Sequence, residues 1–373
     1  MTKTMGAKSP AVDAALSARI KAARVICILV LVYVHVPPWD ASLDVSNPFD
    51  LLFATLREAF ARTSVPLLSV LSGYLLVATE RARSHAERIN RKIRSLIVPL
   101  LLWNLIAAAL NLALGDLPPT NILGWFDRLL ALRGTPLVTP LYFLRDVFLC
   151  VLLYPALLIA VRRAPSTTIL ILAVLATLGI LDSLFITPLI LVFFVAGVSI
   201  ANGNFPVRYV PSMPVALILF LPIAALSVDW SIHGATSGAL LAIPAGAEEI
   251  AMRFLLLLQR LAGALLFWQI AVWASNSALR PLILGIEPFV FFFFCSHALI
   301  LNAAWRGLAL LGVEYADPAY QFFFVTAPLT SLALSMIGAS MLLRLTPKFL
   351  RLLCGGRLPQ WAKPLPRDAI RAS

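Results

Sequence analysis

The sequence predicts an all-α, polytopic membrane protein: a bundle of about ten transmembrane helices with both termini in the cytoplasm. Of its 373 residues, 60% are hydrophobic and only 13% are charged, whereas soluble domains average about 45–50% apolar and about 25% charged residues. The mean hydropathy is +0.90, so the apolar surplus is expected to face lipid. This composition excludes the set of soluble domains that the chain length alone would suggest.

Ten apolar segments are long enough to cross a bilayer as helices, which takes about 20 residues with a range of about 17–25. They cover residues 18–36, 60–79, 95–114, 139–161, 167–182, 186–201, 213–228, 250–274, 285–304 and 322–343. The fifth and sixth are short and are expected to form a tight hairpin or a re-entrant pair. The predicted organisation is therefore a cytoplasmic tail over residues 1–17, a single transmembrane domain over 18–343 and a basic cytoplasmic tail over 344–373.

The charges are distributed unevenly along the chain, whose net charge is +12. In a soluble protein this excess would suggest a nucleic-acid partner. With the N-terminus inside, however, the predicted cytoplasmic segments hold 22 of the 30 Lys and Arg and 4 of the 18 Asp and Glu. This is the positive-inside pattern, and an even number of spans places both termini in the cytoplasm. We therefore expect the lipid bilayer, and no nucleic acid, among the partners.

Common motifs of soluble chemistry are missing from the sequence. The four cysteines have no CxxC spacing and fall within spans or in the C-terminal tail, so neither a disulfide framework nor a zinc site is predicted. The chain contains no Walker loop and no GxGxxG, HExxH or GxSxG motif. Because the polar connections are also short, any chemistry is expected within the helix bundle.

The first predicted helix carries two polar residues on one face. Arg24 and His35 are eleven residues apart, which on an α-helix is an offset of about 20° and a rise of about 16 Å. A guanidinium at the cytoplasmic surface suits phosphate, and an imidazole near mid-membrane suits general-base work. Coenzyme A has matching dimensions, with a phosphorylated nucleotide at one end and a thioester at the other. A membrane anchor at Arg24 and a structural histidine explain the same residues.

A second intramembrane histidine lies in a late aromatic-rich segment, EPFVFFFFCSHALIL. If this helix also runs outward, His297 lies at the same depth as His35. Two histidines at one level on separate helices are expected to line one cavity. The alternative is a single buried histidine that bonds to a backbone carbonyl.

Further ionisable residues inside predicted spans need partners or a function. Arg145 and Asp146 are adjacent, so their side chains are not expected to face each other, and each needs its own partner. Arg260 is expected to lie deep in the eighth span. It either stabilises an anionic substrate or forms an ion pair with Asp146 or Glu287.

Together these segments resemble the membrane-bound acyltransferase type 3 family. The likeness extends from residue 19 to about residue 301, and it rests on the order and spacing of its blocks. The matching features are Arg24 and His35, Pro66 with Ser72-Gly73-Tyr74, Arg91, Arg94 and Pro99 in RINRKIRSLIVPLLLW, the segment PLYFLRDVFL, and the late helix ending in His297. Tyr142 stands where the family has tryptophan. No fused esterase-like domain follows, which resembles the stand-alone branch that modifies exopolysaccharides, periplasmic glucans or lipid-linked sugars.

The resemblance implies an O-acyltransferase of the bacterial inner membrane. It would transfer an acyl group, expected to be acetyl, from acyl-CoA to a hydroxyl of a cell-surface or exported glycan or a lipid-linked sugar, with no permanently bound cofactor and no metal. The implied residues are His35 for catalysis, Arg24, Arg88, Arg91, Lys92 and Arg94 for the coenzyme A phosphates, and Ser72, Tyr74, Arg145 and His297 for the substrate or the oxyanion. His35 acts either as the base or as an acyl relay.

Two other classes of protein remain compatible with the residues. A transporter or flippase of an anionic or sugar-linked substrate would use Arg260, Arg145 and His297 as a substrate or proton path. A scaffold subunit of a polysaccharide-export assembly would use its histidines only structurally. Two features argue against the transporter: Arg24 and His35 share one helix face next to a basic cytoplasmic loop, and no internal repeat is visible.

Overall fold

A computed structural model describes most of the chain. The described residues are 13–39, 43–44, 46–80, 83–115, 121–132, 134–183, 185–205, 210–233, 243–244, 246–315 and 317–357. Within these ranges the regular structure is helical, without a β-strand. The predicted all-α class is confirmed.

We number the helices of the described ranges in chain order, leaving short 3₁₀ turns aside. They are α1 (Ala14–Leu31), α2 (Pro48–Glu80), α3 (His85–Ala113), α4 (Ile122–Leu130), α5 (Thr139–Arg163), α6 (Pro165–Thr177), α7 (Pro188–Ala201), α8 (Met213–His233), α9 (Glu248–Ser275), α10 (Arg280–Leu310), α11 (Pro318–Leu345) and α12 (Pro347–Leu353). A 3₁₀ turn, Val32–His35, extends α1 to the first histidine.

Seven of the described helices, α2, α3, α5, α8, α9, α10 and α11, are long and apolar enough to cross a bilayer. The other predicted segments are also helical, but α6 and α7 have 13 and 14 residues. At 1.5 Å per residue they reach about 20 Å, against a hydrocarbon core of about 30 Å. α1 has 18 residues, but three of them are charged, Arg19, Lys21 and Arg24, and it is not among the seven candidate spans. The structure therefore supports a multi-pass membrane protein with seven candidate spans, and the count of ten and the side of each terminus stay predictions.

Two of the long helices contain a π-helical turn shortly before a proline. In α2 the turn covers Thr55–Ala61, ahead of Pro66, and in α3 it covers Ile93–Ile97, ahead of Pro99. A proline lacks the N–H that would bond four residues back, and its ring crowds that carbonyl. Wider turns absorb this misfit and re-aim the side chains they contain, which is why such turns are common at functional sites.

The tightest helix crossing joins α2 and α7 through two glycines. A Cβ on Gly73 would overlap the carbonyl oxygen of Phe194, and a Cβ on Gly197 would overlap that of Val70. Small residues let helices approach closely where lipid supplies no hydrophobic drive between them. The short α7 is thereby held inside the bundle with most of its residues buried, and α2 is fixed at the level of Ser72.

The segment after the last long helix is packed against the bundle. The indole N–H of Trp103 donates to the carbonyl oxygen of Leu353 at 3.3 Å, and Leu350 and Leu353 are buried. Gly355 lies against the backbone of Ser95, at a positive φ of 60°. The predicted cytoplasmic tail therefore begins with a docked helix, and its residues from 358 onward lie outside the described part of the chain.

Candidate active site

The two intramembrane histidines meet in the bundle. The rings of His35 and His297 lie 5.2 Å apart, centroid to centroid, in an edge-to-face arrangement. Both residues are buried. Arg24 of the same first helix contacts Glu287 of α10 at 3.4 Å, so α1 and α10 run side by side and pair at two levels. The prediction that these histidines lie at one depth is confirmed.

The hydrogen bonds of His297 determine which of its nitrogens carries the proton. Its Nδ1 lies 3.2 Å from the carbonyl oxygen of Phe293 and 2.8 Å from that of Phe294. Carbonyl oxygens only accept, so Nδ1 must be the donor, and the neutral ring then has its lone pair on Nε2. That Nε2 is buried and has no hydrogen-bond partner among the described residues. The ring therefore presents a proton acceptor next to His35.

A cavity of about 430 Å³ opens between α1, α2, α3, α5 and α10, within the size range of small-molecule sites. Leucine, valine and phenylalanine side chains form most of its wall. Phe143 and Phe294 lie at this wall with their rings 6.1 Å apart. The Phe294 ring is also 6.2 Å from that of His297. One aromatic residue thus contacts both the cavity and the histidine pair.

Cationic side chains lie together at one end of the cavity, which we call its mouth. Lys21, Arg24, Lys92 and Arg357 line it, together with Glu287. The Arg357 guanidinium lies 4.6 Å from the centroid of the Phe291 ring, another part of the cavity wall. Four cations beside one carboxylate suit a ligand with several negative charges.

The basic residues proposed for the coenzyme A phosphates fall into different places. Arg24 and Lys92 line the cavity, whereas Arg88, Arg91 and Arg94 are not among its lining residues. Arg88 donates to the carbonyl oxygen of Glu80 at 2.8 Å and lies over the Tyr154 ring. Arg91 is 3.6 Å from the buried Glu80 carboxylate, which Lys92 also contacts at 3.3 Å. Arg94 is exposed.

The oxyanion candidates are also separated by the structure. Ser72 lines the cavity and its hydroxyl donates to the carbonyl oxygen of Leu68 at 2.8 Å. Tyr74 is buried outside the cavity wall, close enough to Asp13 to interact with its charge. Arg145 contacts Asp146 at 2.7 Å and also donates to the carbonyl oxygen of Ala131.

The expectation that Arg145 and Asp146 do not face each other was wrong. Adjacent residues of a helix diverge at their Cβ atoms, but the long arginine side chain folds back in the first turn. It places both Nε and Nη2 on one oxygen of Asp146. The other carboxylate oxygen of Asp146 accepts from the Thr187 amide at 3.1 Å, so this pair joins α5 to the start of α7.

Arg260 lies near neither of the ion-pair partners expected for it. Its guanidinium interacts electrostatically with Tyr142, Arg62 and Glu58. Glu58 is already ion-paired with Arg57 and Arg62. Arg57 and Arg62 also interact electrostatically with His35. A second cationic group, separate from the cavity mouth, therefore lies beside the histidine pair.

Sequence reasoning missed three contributors to this site. Arg357 was assigned to a tail, and only the docking of α12 brings it to the cavity. Lys21 precedes Arg24 by three residues, so helical spacing would have placed it on the same face. Glu80, which holds Arg91 and Lys92, carried no signal beyond its position before a basic loop. Within the described ranges no cluster of His, Cys, Asp and Glu suits a metal ion.

The amino-acid sequence of this helical bundle matches an enzyme family. Residues 17–343 match the sequence model of acyltransferase type 3, described as an acyltransferase domain, and the chain belongs to that family. It is also 30% identical over 361 residues to the succinoglycan biosynthesis protein ExoH of Rhizobium meliloti (strain 1021), covering 92% of this chain and 94% of that protein. No solved structure gave a significant match.

Proposed function

We propose that this membrane acyltransferase moves an acyl group, acetyl, from acyl-CoA to a hydroxyl of an exported or cell-surface glycan or a lipid-linked sugar, in the bacterial inner membrane. The observation that carries the proposal is the cavity with a cationic mouth at Arg24 and an aromatic wall that ends beside His297. The relative named for succinoglycan biosynthesis supports an exopolysaccharide acceptor. Family membership favours this function over a transporter or a scaffold.

The donor would lie along the cavity with its phosphates at the mouth. Lys21, Arg24, Lys92 and Arg357 supply the cations, and charge-assisted bonds to phosphate are the stronger kind of hydrogen bond. From Arg24 the helix continues to His35 over about 18 Å, seven α-helical steps and four 3₁₀ steps. The apolar wall between the two levels suits the pantetheine arm.

The histidine pair would then carry the proton. His35 takes the proton of the acceptor hydroxyl, whose oxygen attacks the thioester carbonyl. The tetrahedral intermediate collapses, the C–S bond breaks, and the coenzyme A thiolate takes the proton back. The Nε2 of His297, which has no partner among the described residues, would accept from the incoming hydroxyl and hold it in line. Ser72 lines the cavity and would donate to the oxyanion after its hydroxyl turns away from the carbonyl oxygen of Leu68.

The test is transfer of labelled acetyl from acetyl-CoA to exopolysaccharide in membranes that contain His35→Ala. We expect a loss of at least a hundredfold, the usual contribution of a general base. His233→Ala is the matched control, because that histidine is half-buried and pairs with Asp229 on α8. Normal transfer at normal expression in His35→Ala would refute the assignment.

An experiment without the glycan acceptor distinguishes the two roles of His35, general base and acyl relay. A base leaves no acetyl on the protein, whereas a relay retains label on a histidine that is lost in His35→Ala. A wild-type protein that neither transfers acetyl nor hydrolyses acetyl-CoA would refute the acyl-CoA donor itself.

A further inference from the structure

Two arginines pair with one glutamate, and a third arginine lies within electrostatic range of it, at the end of the bundle opposite the cavity mouth. Glu58 contacts Arg57 at 3.5 Å and also pairs with Arg62. These residues belong to the π-helical turn of α2, where the amide of Arg62 bonds to the carbonyl of Arg57 five residues earlier. Arg260 enters from α9. Among the described residues this arginine cluster holds more positive than negative charge.

The nearby acceptors are already engaged. Asp50, two turns before Arg57, accepts from the Tyr315 hydroxyl and the Asp44 amide, at 2.8 and 2.9 Å. Arg57 itself donates to the carbonyl oxygen of Trp39 at 3.2 Å. Uncompensated charge in a low-dielectric interior is costly. In a membrane span it generally marks a substrate path.

An unpaired acceptor adjoins the arginine cluster. Gln259 is fully buried and its Nε2 donates to the carbonyl oxygen of Glu58 at 2.8 Å. Its Oε1 has no partner among the described residues. A buried amide oxygen without a donor costs free energy unless a ligand supplies one. The site thus presents both cations and a hydrogen-bond acceptor, which matches a molecule with an anionic group and hydroxyls.

The position of the arginine cluster indicates which substrate it faces. Along α2, Arg62 is 18 residues from Glu80, which binds Lys92 at the cavity mouth, or about 27 Å. Ser72 lies between these two levels. His35 is close enough to Arg57 and Arg62 to interact with their charges. The cluster therefore lies beyond the histidine pair as seen from the donor mouth, and the Arg62 side chain is 38% exposed there.

From this geometry we propose that Arg57, Arg62 and Arg260 bind an anionic group of the acceptor glycan. Gln259 Oε1 accepts a hydrogen bond from a hydroxyl of the same glycan. The inference rests on the proposed function, because it takes the glycan as the second substrate. The anion is either a carboxylate on an acidic sugar or a phosphate of a lipid-linked one. In both cases the negative charge of the ligand offsets part of the positive charge of the cluster, and the ligand holds the acceptor hydroxyl next to His35.

The kinetic experiment compares an acidic glycan acceptor with the same glycan after chemical reduction of its carboxyl groups. We expect Arg260→Gln to raise the KM for the acidic acceptor about tenfold, the loss of one charge-assisted hydrogen bond. On the reduced acceptor, wild type and variant should be equal. The control is Arg253→Gln on the same helix, since Arg253 has two carboxylate partners, Asp182 and Glu249.

Direct binding gives a second readout that needs no donor. D-glucuronate, inorganic phosphate and methyl glucoside are each added to the purified full-length protein, and the melting temperature is measured. Stabilisation by glucuronate or by phosphate, absent in Arg260→Gln and in Arg62→Gln, supports the site and identifies the anion. Equal losses on both acceptors, or no anion-dependent stabilisation of the wild type, would overturn it. If the wild type cannot use acetyl-CoA while glucuronate still binds, the proposed donor fails and this site stands.

Discussion

Arg357 offers a sharp test of the donor site, because the sequence assigned it to a tail and the structure places it on the cavity. In Arg357→Gln the guanidinium over Phe291 is lost, and with it one charge-assisted bond to phosphate, about 1.5–3 kcal/mol. Arg357 is accessible to solvent, so the lower figure applies. We expect the KM for acetyl-CoA to rise about tenfold, with little change in kcat.

The assay compares acetyl-CoA with S-acetylpantetheine, a donor that has the same thioester and arm but no phosphates or nucleotide. Arg357→Gln should leave the kinetics with S-acetylpantetheine unchanged. Arg351→Gln is the control, since Arg351 is exposed on α12 and outside the cavity lining. Equal losses with both donors would refute phosphate binding and indicate that Arg357 only holds α12 in place.

Three further outcomes are expected. Gly73→Ala should lower the free energy of unfolding by about 1–3 kcal/mol in detergent melts, whereas Gly307→Ala, which meets open space, should not; equal melting temperatures would contradict the tight crossing. His297→Gln should lower kcat for transfer but less than His35→Ala, and an unchanged kcat would remove His297 from the mechanism. Burial raises the pKa of Cys354 to about 12, so iodoacetamide should label this thiol slowly at pH 8; rapid labelling of the folded protein would contradict its burial.

The polar residues of single helices were largely predictable. Arg24 and His35 lie on one continuous element, but the 3₁₀ turn Val32–His35 adds about 80° to the offset that α-helical spacing predicts. The matching depth of His297 followed from the direction of its helix, and the structure confirms the contact between the rings. The ten apolar segments are all helical, but the short length of α6 and α7 and the three charges of α1 separate these three helices from the seven candidate spans.

Contacts between distant segments were not predictable in the same way. The partners of Arg145 and Arg260 depend on how long side chains fold and on which helices become neighbours. Arg91 and Arg94 were predicted to bind the coenzyme A phosphates because they lie in a basic loop, but neither of them lines the cavity. Ser72 and Tyr74 point about 200° apart on one helix, so only one of them can line the cavity, and the α2 and α7 crossing decides that it is Ser72.

The sequence by itself determined that this chain is a helical membrane protein, which residues are too polar for lipid, and which family they resemble. Those properties follow from composition and from periodicity within one helix. Tertiary structure alone decided that Arg357 lines the cavity, that the ring of His297 lies beside that of His35, and that Arg57 and Arg62 share Glu58. The physical reason is that a buried charge or lone pair is defined by its neighbours, and in this bundle most of those neighbours come from other helices.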